Sequence, residues 1–375
     1  MPVAPTAVWH LPLRLLSMLG RTWDFLRRWP YTFGAALALV VGIFTVFMSI
    51  RLGVPLRDPE GFLGPAYVRL PLMALGFFAV GVIPMAIKRR GVKKIIPGVA
   101  DVIRYEWTWG RVVHIASGLL VFYVIYVSYR NLKSYLPVLR EGVLYDRMFS
   151  EWDYWLTFGH QPGELLHQLL GTGFNAQILS FIYLTYLMLI PITLGAFLVL
   201  NRDVSLGAWY ATALALNWIL GTVSYYIWPS LGPAFFQPQF FTDLEESGVT
   251  ALQQGLFRNG SAFKEDPTGP FIYGIAGFAS LHVSVTFTAA LFFQRTDQSR
   301  FVQAIGWVYF ALTVLATVYF GWHYIADDIG GILIGWLSVA VGGWATGNGF
   351  WRQRHHKIQL TADPDDSRGT VSKAN

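Results

Sequence analysis

Cysteine is absent from this sequence of 375 residues, and charged side chains make up only 13% of it. Without cysteine, the chain offers no thiolate as a nucleophile or metal ligand and forms no disulfide. Soluble domains carry about 25% Asp, Glu, Lys and Arg, so the scarcity of charge excludes an ordinary soluble fold. The 54% of hydrophobic residues and the mean hydropathy of +0.43 instead indicate a chain that crosses a membrane several times.

Eight apolar runs have lengths that approach the ~20 residues a helix needs to span a bilayer. They are residues 31–50, 70–87, 112–129, 176–200, 205–228, 278–293, 302–322 and 325–345. We therefore predict an all-α, polytopic membrane protein with about eight transmembrane helices. Between the runs, the aromatic and leucine-rich stretches Trp152–Leu156 and Leu165–Leu170 predict outer helices that lie at the membrane interface.

The basic residues cluster in short segments beside the apolar runs, a pattern typical of topology signals rather than of nucleic-acid binding. Such segments are the N-terminus, Lys88–Lys94 and Arg352–Lys357. If all three are cytoplasmic, the long loops 130–174 and 234–274 lie on the extracytoplasmic face of a cell membrane. The predicted parts are a basic amphipathic segment (1–30), accessory transmembrane helices (31–110), a membrane domain (111–350) and a disordered cytoplasmic tail (351–375).

Three ionisable side chains stand at the ends of the last apolar runs. His323 and Asp327 are four residues apart, a spacing that puts two side chains on one face of a helix. His282 opens the run 278–293, and the predicted topology places it at the same membrane face. Ionisable groups near membrane depth are costly, so this cluster is a candidate reaction centre.

A carboxylate beside an imidazole fixes its tautomer and makes the other ring nitrogen a better nucleophile. We interpret His323 as the nucleophile, Asp327 as its partner and His282 as the general acid, which suits phosphoryl transfer through a phosphohistidine. Ser280 falls in the first turn of the predicted helix, where free N–H groups bind an anion and where its hydroxyl can cap the helix. Asp328 lies off the imidazole face and is expected to cap the last span.

Two segments resemble signature motifs of the type-2 phosphatidic acid phosphatase superfamily. G-F-A-S-L-H-V-S (277–284) is similar to the second motif, Pro-Ser-Gly-His, through Ser280 and His282. Y-F-G-W-H-Y-I-A-D-D-I-G-G (319–331) is similar to the third motif through His323 and Asp327. The S-L-H form, the missing motif arginine and the proline-rich segment after the fifth run look closest to a subgroup that includes inositol phosphorylceramide synthases.

This resemblance implies a six-helix phosphatase-like core and a metal-independent enzyme without a cofactor. It implies a nucleophilic His323 aided by Asp327, with His282 transferring protons, on the outer or lumenal face. The substrate would be a lipid phosphate or phospholipid, and a phosphoalcohol headgroup such as inositol phosphate would pass to a lipid or polyol acceptor. The alternative within the family is a phosphatase acting on a lipid phosphate or polyprenyl diphosphate.

The sequence departs from the family pattern at the groups that hold phosphate. Thr317 stands where the third motif has its arginine, so another cation must take that role. Lys133 and Arg140 have the spacing of the first motif, but Glu141 follows where the motif has proline. Arg130 and Lys133, at the outer end of the third run, are the predicted phosphate or headgroup contacts. Two further basic residues are candidates, Arg258 and Lys264.

Two other classes of function stay open. A metal hydrolase would use His282, His323 and Asp327 as ligands, although no other ligand motif supports it. A lipid or ion transporter would use the same groups as a proton relay, for which charges in the middle of a span are expected rather than at its end. Full activity in excess chelator would exclude the metal hydrolase. Chemical turnover in detergent, where no gradient exists, would argue against the transporter.

Overall fold

Helices make up almost all of the computed structural model, which describes residues 29–349 apart from residues 59, 62, 63 and 276. In chain order the elements are α1 (Thr32–Leu52), β1 (Glu60–Gly61), β2 (Gly64–Pro65), α2 (Ala66–Arg90), α3 (Ile95–Glu106), α4 (Trp109–Leu139), α5 (Asp146–Leu156), α6 (Pro162–Leu170), α7 (Phe174–Gly195), α8 (Val204–Ile227), α9 (Pro233–Phe236), α10 (Gly248–Glu265), α11 (Leu281–Arg295), α12 (Arg300–Tyr319) and α13 (Ile325–Ala345). β1 and β2 pair in a two-residue antiparallel ladder. The all-α prediction is confirmed. The predicted tail 351–375, and all but the last two residues of the predicted segment 1–30, lie outside the described residues.

Seven helices of the described chain are long and apolar enough to cross a membrane: α1, α2, α4, α7 with the π-helical turn that extends it, α8, α12 and α13. The eighth predicted span is α11, whose 15 residues rise only ~22 Å against a hydrocarbon core of ~30 Å. It begins late because residues 277–279 are not helical. There the Ser230 hydroxyl accepts the Phe278 N–H at 3.0 Å and the Ser224 hydroxyl accepts the Ala279 N–H at 2.9 Å. A multi-pass protein is thus supported, while the count of eight is not confirmed.

The α4 helix continues to Leu139, well beyond the predicted end of its span at residue 129. Hydropathy falls at this point because Arg130, Asn131 and Lys133 are polar, but the last two side chains are buried in the protein rather than exposed to lipid. Asn131 accepts the Arg57 main-chain N–H at 2.9 Å and donates to the Arg57 carbonyl at 2.8 Å. The prediction that residues 130 onward form a loop was therefore wrong for the first ten of them.

The segments predicted at the membrane interface are helical, since residues 152–156 belong to α5 and residues 165–170 to α6. The predicted loop 234–274 contains α10, a helix of 18 residues. Ser247 caps it: its hydroxyl accepts the Thr250 N–H at 3.3 Å, and the Thr250 hydroxyl accepts the Ser247 N–H at 2.8 Å. A capped helix with a buried Phe263 was thus concealed by a composition rich in glycine and glutamine.

The most buried long helix is α8, which packs against α4, α11 and α13. On α8, Asn217 donates to the Thr288 hydroxyl at 3.0 Å and accepts from the Ser284 hydroxyl, both on α11. Gly335 lets α13 approach the same helix closely, because a Cβ there would lie 2.7 Å from the Ser284 carbonyl oxygen. With α11 and α13 packed side by side, the Ser280 N–H donates to the Asp327 carbonyl at 2.9 Å. The two motif segments therefore meet at one end of the bundle.

Candidate active site

His323 and Asp327 pair where α13 begins. His323 lies in the turn before the helix, and Asp327 lies in its first turn. The His323 Nδ1 atom is 3.3 Å from Asp327 Oδ2, and the same oxygen accepts the Tyr324 main-chain N–H at 3.0 Å. With its proton on Nδ1, His323 would donate to this carboxylate and keep the lone pair of Nε2. The arrangement presents Nε2 as a nucleophile or base.

The surroundings of His323 keep its ring uncharged. The side chain is only 5% exposed, and this burial lowers the pKa of His323 to about 4, although the nearby Asp328 carboxylate raises it. The positive charge of Lys133 also lowers the pKa of His323. At neutral pH the imidazole is therefore neutral, which is the protonation state that a nucleophile needs.

His282, in the first turn of α11, faces His323 with their ring centroids 6.1 Å apart. Aromatic rings hold it in place: its centroid lies 4.5 Å from that of Tyr183, which is stacked on it, and 4.2 Å from that of Tyr186. The Tyr183 hydroxyl also lies 3.5 Å from His282 Nδ1. The two imidazoles are thus close enough to act on one substrate group, with one of them packed between aromatic side chains.

Ser280 is the N-cap of α11 and is fully buried. Its hydroxyl accepts the Val283 N–H at 3.4 Å, while its own N–H donates to the Asp327 carbonyl and so ties the two motif segments together. The N–H groups of Leu281 and His282 have no acceptor inside the helix, because the first turn never provides one. Both roles considered for this position, cap and anion-binding helix end, are compatible with the geometry.

Asp328 lies beside the pair without contacting the imidazole directly. Its Oδ2 atom accepts a hydrogen bond from the Thr317 hydroxyl at 3.0 Å, across from α13 to α12. Asp328 was expected to cap the last span. Instead it is buried, and its carboxylate points at α12 and accepts the Thr317 hydroxyl. Thr317, at the position of the motif arginine, therefore satisfies a buried acid.

Lys133 is buried between tyrosine rings near the two histidines. Its Nζ atom lies 5.3 Å from the ring centroid of Tyr225 and 6.0 Å from that of Tyr129, and its charge acts on both histidines. Arg130, one turn earlier, lies near the Tyr129 hydroxyl and near Lys133. Within the described part of the chain, neither cation forms a salt bridge. The structure thus brings Lys133 close to the histidines, with Arg130 beside it.

The other basic candidates lie elsewhere. Arg258 and Lys264 are exposed on α10. Arg140 follows the end of α4 and, together with Lys264, lines a cavity of about 310 Å³. It is seven residues beyond Lys133, or ~10 Å along a helix axis. Of the basic candidates, Lys133 is the one whose charge acts on both histidines.

Two acids on α5 that sequence reasoning did not single out hold the His323 turn in place. Asp146 Oδ1 accepts the Tyr324 hydroxyl at 3.0 Å, and the same carboxylate accepts two main-chain N–H groups of the turn at 231–232. Asp153 Oδ1 accepts the Ile325 N–H at 3.1 Å, at the start of α13. Both side chains are buried, at 0% and 3% exposure. They therefore clamp the two residues that follow the candidate nucleophile.

A signal for these acids was present in the sequence. Asp146, Phe149, Ser150 and Asp153 recur at helical spacing, and all four are buried, so the inward face of an amphipathic helix carries two carboxylates. Burial raises the pKa of Asp146 above its usual value. It raises the pKa of Asp153 to about 7, against the lowering effect of the hydrogen bond from Ile325. Acids on an apolar stripe are costly and mark candidates for a specific role.

No group of three His, Asp or Glu side chains is arranged to hold a metal ion within the residues that the structure describes.

Comparison with known proteins assigns the chain to a family. A family model described as the PAP2 superfamily matches residues 147–341, which is more than half of the 375 residues. No curated protein and no solved structure gives a match. The matched region contains both histidine motifs and most of α5, while the two unpaired cations precede it. The chain therefore belongs to the PAP2 superfamily, a membership that supports phosphatase- or phosphotransferase-type activity on lipids.

Proposed function

We propose that this protein transfers a phosphoryl or phosphoalcohol group from a lipid through a covalent phosphohistidine on His323. The observation that carries the proposal is the contact of His323 Nδ1 with Asp327 at 3.3 Å, with the His282 ring centroid 6.1 Å from that of His323. Membership of the PAP2 superfamily supports a lipid substrate, and the buried histidine pair supports the roles of the residues.

In the first step, His323 Nε2 attacks the phosphorus of the donor. A P–N bond forms, and the bond from phosphorus to the leaving alcohol oxygen breaks. Burial lowers the pKa of His282, and the anionic phosphate bound beside it favours the protonated form again. Protonated His282 then donates its proton to that oxygen, so the alcohol departs neutral. The Asp327 carboxylate holds the Nδ1 proton and stabilises the positive charge that the phosphorylated imidazole acquires.

In the second step, neutral His282 takes a proton from the acceptor hydroxyl. The acceptor oxygen attacks phosphorus, the P–N bond breaks, and His323 returns to its starting state. His282 regains the proton that it lost in the first step, so the cycle closes. With water as acceptor the enzyme is a phosphatase, and with a lipid or polyol hydroxyl it is a transferase.

Lys133 and Arg130 are proposed to hold the non-bridging oxygens, in place of the arginine that Thr317 replaces. Both cations lack a carboxylate partner in the described residues, and Lys133 lies close enough for its charge to act on both histidines. Ser280 contributes by capping α11, whose first N–H groups point towards the same space. Fixed donors in a buried site stabilise the charge of the transition state without reorganisation.

The proposed site faces the extracytoplasmic side of the membrane. The basic cluster Lys88–Lys94 begins in the last turn of α2 and lies near the N-terminal end of α4, as the salt bridge from Arg89 to Glu106 requires. Lys133 and the histidines lie near the C-terminal end of α4. A cytoplasmic basic cluster therefore places the histidines across the membrane, where the inositol phosphorylceramide synthase-like subgroup would transfer headgroups.

The test is release of phosphate or headgroup from a panel of lipid phosphates and phospholipids, in detergent and excess chelator. His323→Ala should lose roughly 10³-fold or more in activity, while His160→Ala, an exposed histidine in the α5–α6 connection, keeps wild-type activity. Radiolabel from the donor should become bound to the protein as an acid-labile adduct. Full activity of His323→Ala would refute the assignment, and loss of activity in chelator would favour a metal hydrolase.

Hydrolysis and transfer are separated by adding acceptors. Product formation that depends on an added polyol or lipid alcohol, at the expense of free phosphate, supports transfer. Phosphate release that is insensitive to every alcohol identifies a phosphatase. Turnover in detergent, where no gradient exists, also distinguishes an enzyme from a transporter.

A further inference from the structure

An apolar groove of about 450 Å³ lies between α1, α4 and α8. Its lining is almost entirely hydrophobic and comes from all three helices: Val40, Val41, Phe44 and Met48 on α1, Ile125, Tyr129, Leu132 and Leu139 on α4, and Ile219, Thr222, Val223, Tyr226 and Ile227 on α8. A groove of this composition on a membrane-spanning bundle fits a hydrocarbon chain and offers little to a polar ligand.

The groove opens towards the end of the bundle that holds the histidines. Near the start of α1 the helices are close together: a Cβ at Gly34 would lie 3.1 Å from Val121 on α4 and 3.6 Å from the Thr212 hydroxyl on α8. The groove lies between the same helices nearer the C-terminal ends of α1 and α8, from Val40 and Ile219 onward. There the Tyr226 hydroxyl donates to the Leu132 carbonyl at 2.5 Å and fixes α8 against α4.

Tyr129 connects the groove to the candidate active site. Its side chain lines the groove, and its ring centroid lies 6.0 Å from Lys133 Nζ. Tyr225 and Arg130 also lie near the Tyr129 hydroxyl, and Lys133 Nζ lies 5.3 Å from the Tyr225 ring. The Tyr129 side chain thus borders both the apolar groove and the space around Lys133.

We propose that the groove binds one hydrocarbon chain of the lipid substrate while the phosphate of the same molecule lies at Lys133. The inference rests on the proposed function, which it deepens by assigning the tail of the substrate to α1, α4 and α8. Charge complementarity supports this occupant, because an amphiphile with an anionic head matches an apolar groove that passes beside Lys133 and Arg130, two cations without carboxylate partners in the described residues.

The dimensions fit a chain from one leaflet. On α4, the lining that lies deeper in the membrane than Lys133 runs from Leu132 to Ile125. Ile125 precedes Lys133 by 8 residues, or ~12 Å along the helix axis. One leaflet contributes roughly half of the ~30 Å hydrocarbon core, so a chain that enters beside Lys133 can follow the groove over most of the depth of its leaflet.

The groove depends on two helices outside the family match. The matched region covers residues 147–341, whereas α1 ends at Leu52 and α4 at Leu139, and together they supply two of the three sides of the groove. Chain selectivity would then be set largely by helices that are additional to the matched domain, and the histidine chemistry by the domain itself.

The first test fills the groove. Val41→Trp on α1 and, as a second variant, Val223→Trp on α8 each place a large ring in it. Leu39→Trp is the matched control, since Leu39 is 63% exposed on α1 and does not line the groove. We expect both groove variants to lower kcat/KM about tenfold for oleoyl phosphatidic acid while hexanoyl phosphatidic acid and the control are unaffected. Unchanged turnover of both lipids, or an equal loss on both, would overturn the proposal.

The second test does not need turnover. Phosphatidic acid with a photoreactive group in its chain is compared with diacylglycerol carrying the same chain. Preferential labelling of groove residues by the phosphatidic acid probe, abolished in Lys133→Gln, supports the proposal, and equal labelling by both probes overturns it because bulk lipid then fills the groove. If every lipid phosphate is inactive but this preference is found, the proposed reaction fails while the binding site stands.

Discussion

At the end of the bundle where α2, α3 and α4 meet, the buried Glu106 lies between two arginines. Its Oε1 atom is 2.9 Å from Arg89 and 2.7 Å from Arg202. At the opposite end of α4, the buried acids Asp146, Asp153, Asp327 and Asp328 accept hydrogen bonds from N–H groups, hydroxyls or an imidazole. In the described residues none of these four forms a salt bridge with Lys or Arg.

The difference shows how the same residue types serve structure at one end and chemistry at the other. Around Glu106, one buried carboxylate is paired directly with two arginines, so these cations are held by a protein group. At the histidine end, the carboxylates are satisfied by neutral donors, so the charge of Lys133 remains available. An uncompensated cation in a buried place is costly, and an anionic substrate would remove that cost.

The largest effect is expected from Asp327→Asn, which removes charge at the histidine end with almost no change of shape. Asparagine cannot hold the Nδ1 proton as a carboxylate does, so activity should fall by roughly 10³-fold, as in other histidine–carboxylate pairs. Asp328→Asn is the matched control, because Asp328 accepts a hydrogen bond from Thr317 instead. Activity of this variant should fall by less than about tenfold. Both are measured as kcat on the best donor. Equal losses in the two variants would show that Asp327 has no special role.

Lys133→Gln tests whether the unpaired cation serves the substrate. We expect kcat/KM to fall about 10- to 100-fold, since a buried donor to a transferring phosphoryl group is lost. Lys264→Gln changes an exposed lysine on α10 and should have no effect. If Lys133→Gln instead raises thermal stability and leaves kcat/KM unchanged, the cation belongs to the structure rather than to the substrate site.

The pH profile separates the two kinds of buried group at the histidine end. Because burial lowers the pKa of His323 to about 4, its lone pair should be lost only as pH falls through about 4. The pKa of Asp153 is raised to about 7, so a shallow decrease of roughly twofold is expected as pH falls through 7 and the bond from the Ile325 N–H weakens. Asp153→Asn should abolish the step near 7 and leave the limb near 4. A steep acid limb at the ordinary histidine pKa would contradict this account.

The smallest effect on activity is expected from Glu106→Gln at the other end. Two hydrogen bonds to charged groups are weakened there, which should cost about 2 kcal/mol of stability and lower the thermal midpoint in detergent. Activity per folded molecule should stay within about twofold of wild type. A large fall in kcat without loss of stability would mean that the two ends are coupled, and the comparison would no longer hold.

The sequence predicts that the two histidine motifs meet at one end of the bundle. Successive helices that each cross the membrane end alternately on its two faces. Four-residue spacing likewise placed His323 and Asp327 on one face at the start of a helix, where the structure has them in contact. The helical stretches at residues 152–156 and 165–170 were readable for the same reason, since aromatic and leucine spacing is local information.

Other features escaped because they depend on partners far along the chain. Lys133 lies in α4, whose end was predicted too early from hydropathy. A polar residue that is buried by tertiary contacts has the same hydropathy as one in a loop. Helical spacing indicates that Asp146 and Asp153 share the buried face of α5, but it does not identify their partners, which are the turn at 231–232 and the start of α13. The start of α11 depends on hydroxyls from Ser224 and Ser230, about fifty residues earlier.

The sequence by itself thus determined an all-helical membrane protein and the two histidine motifs, because run length and helical spacing are properties of neighbouring residues. Only the tertiary structure decided which acids hold the His323 turn, which cations stay unpaired and where an apolar groove reaches the site. Those outcomes depend on which helices pack together, and packing joins side chains whose separation in sequence carries no periodic signal.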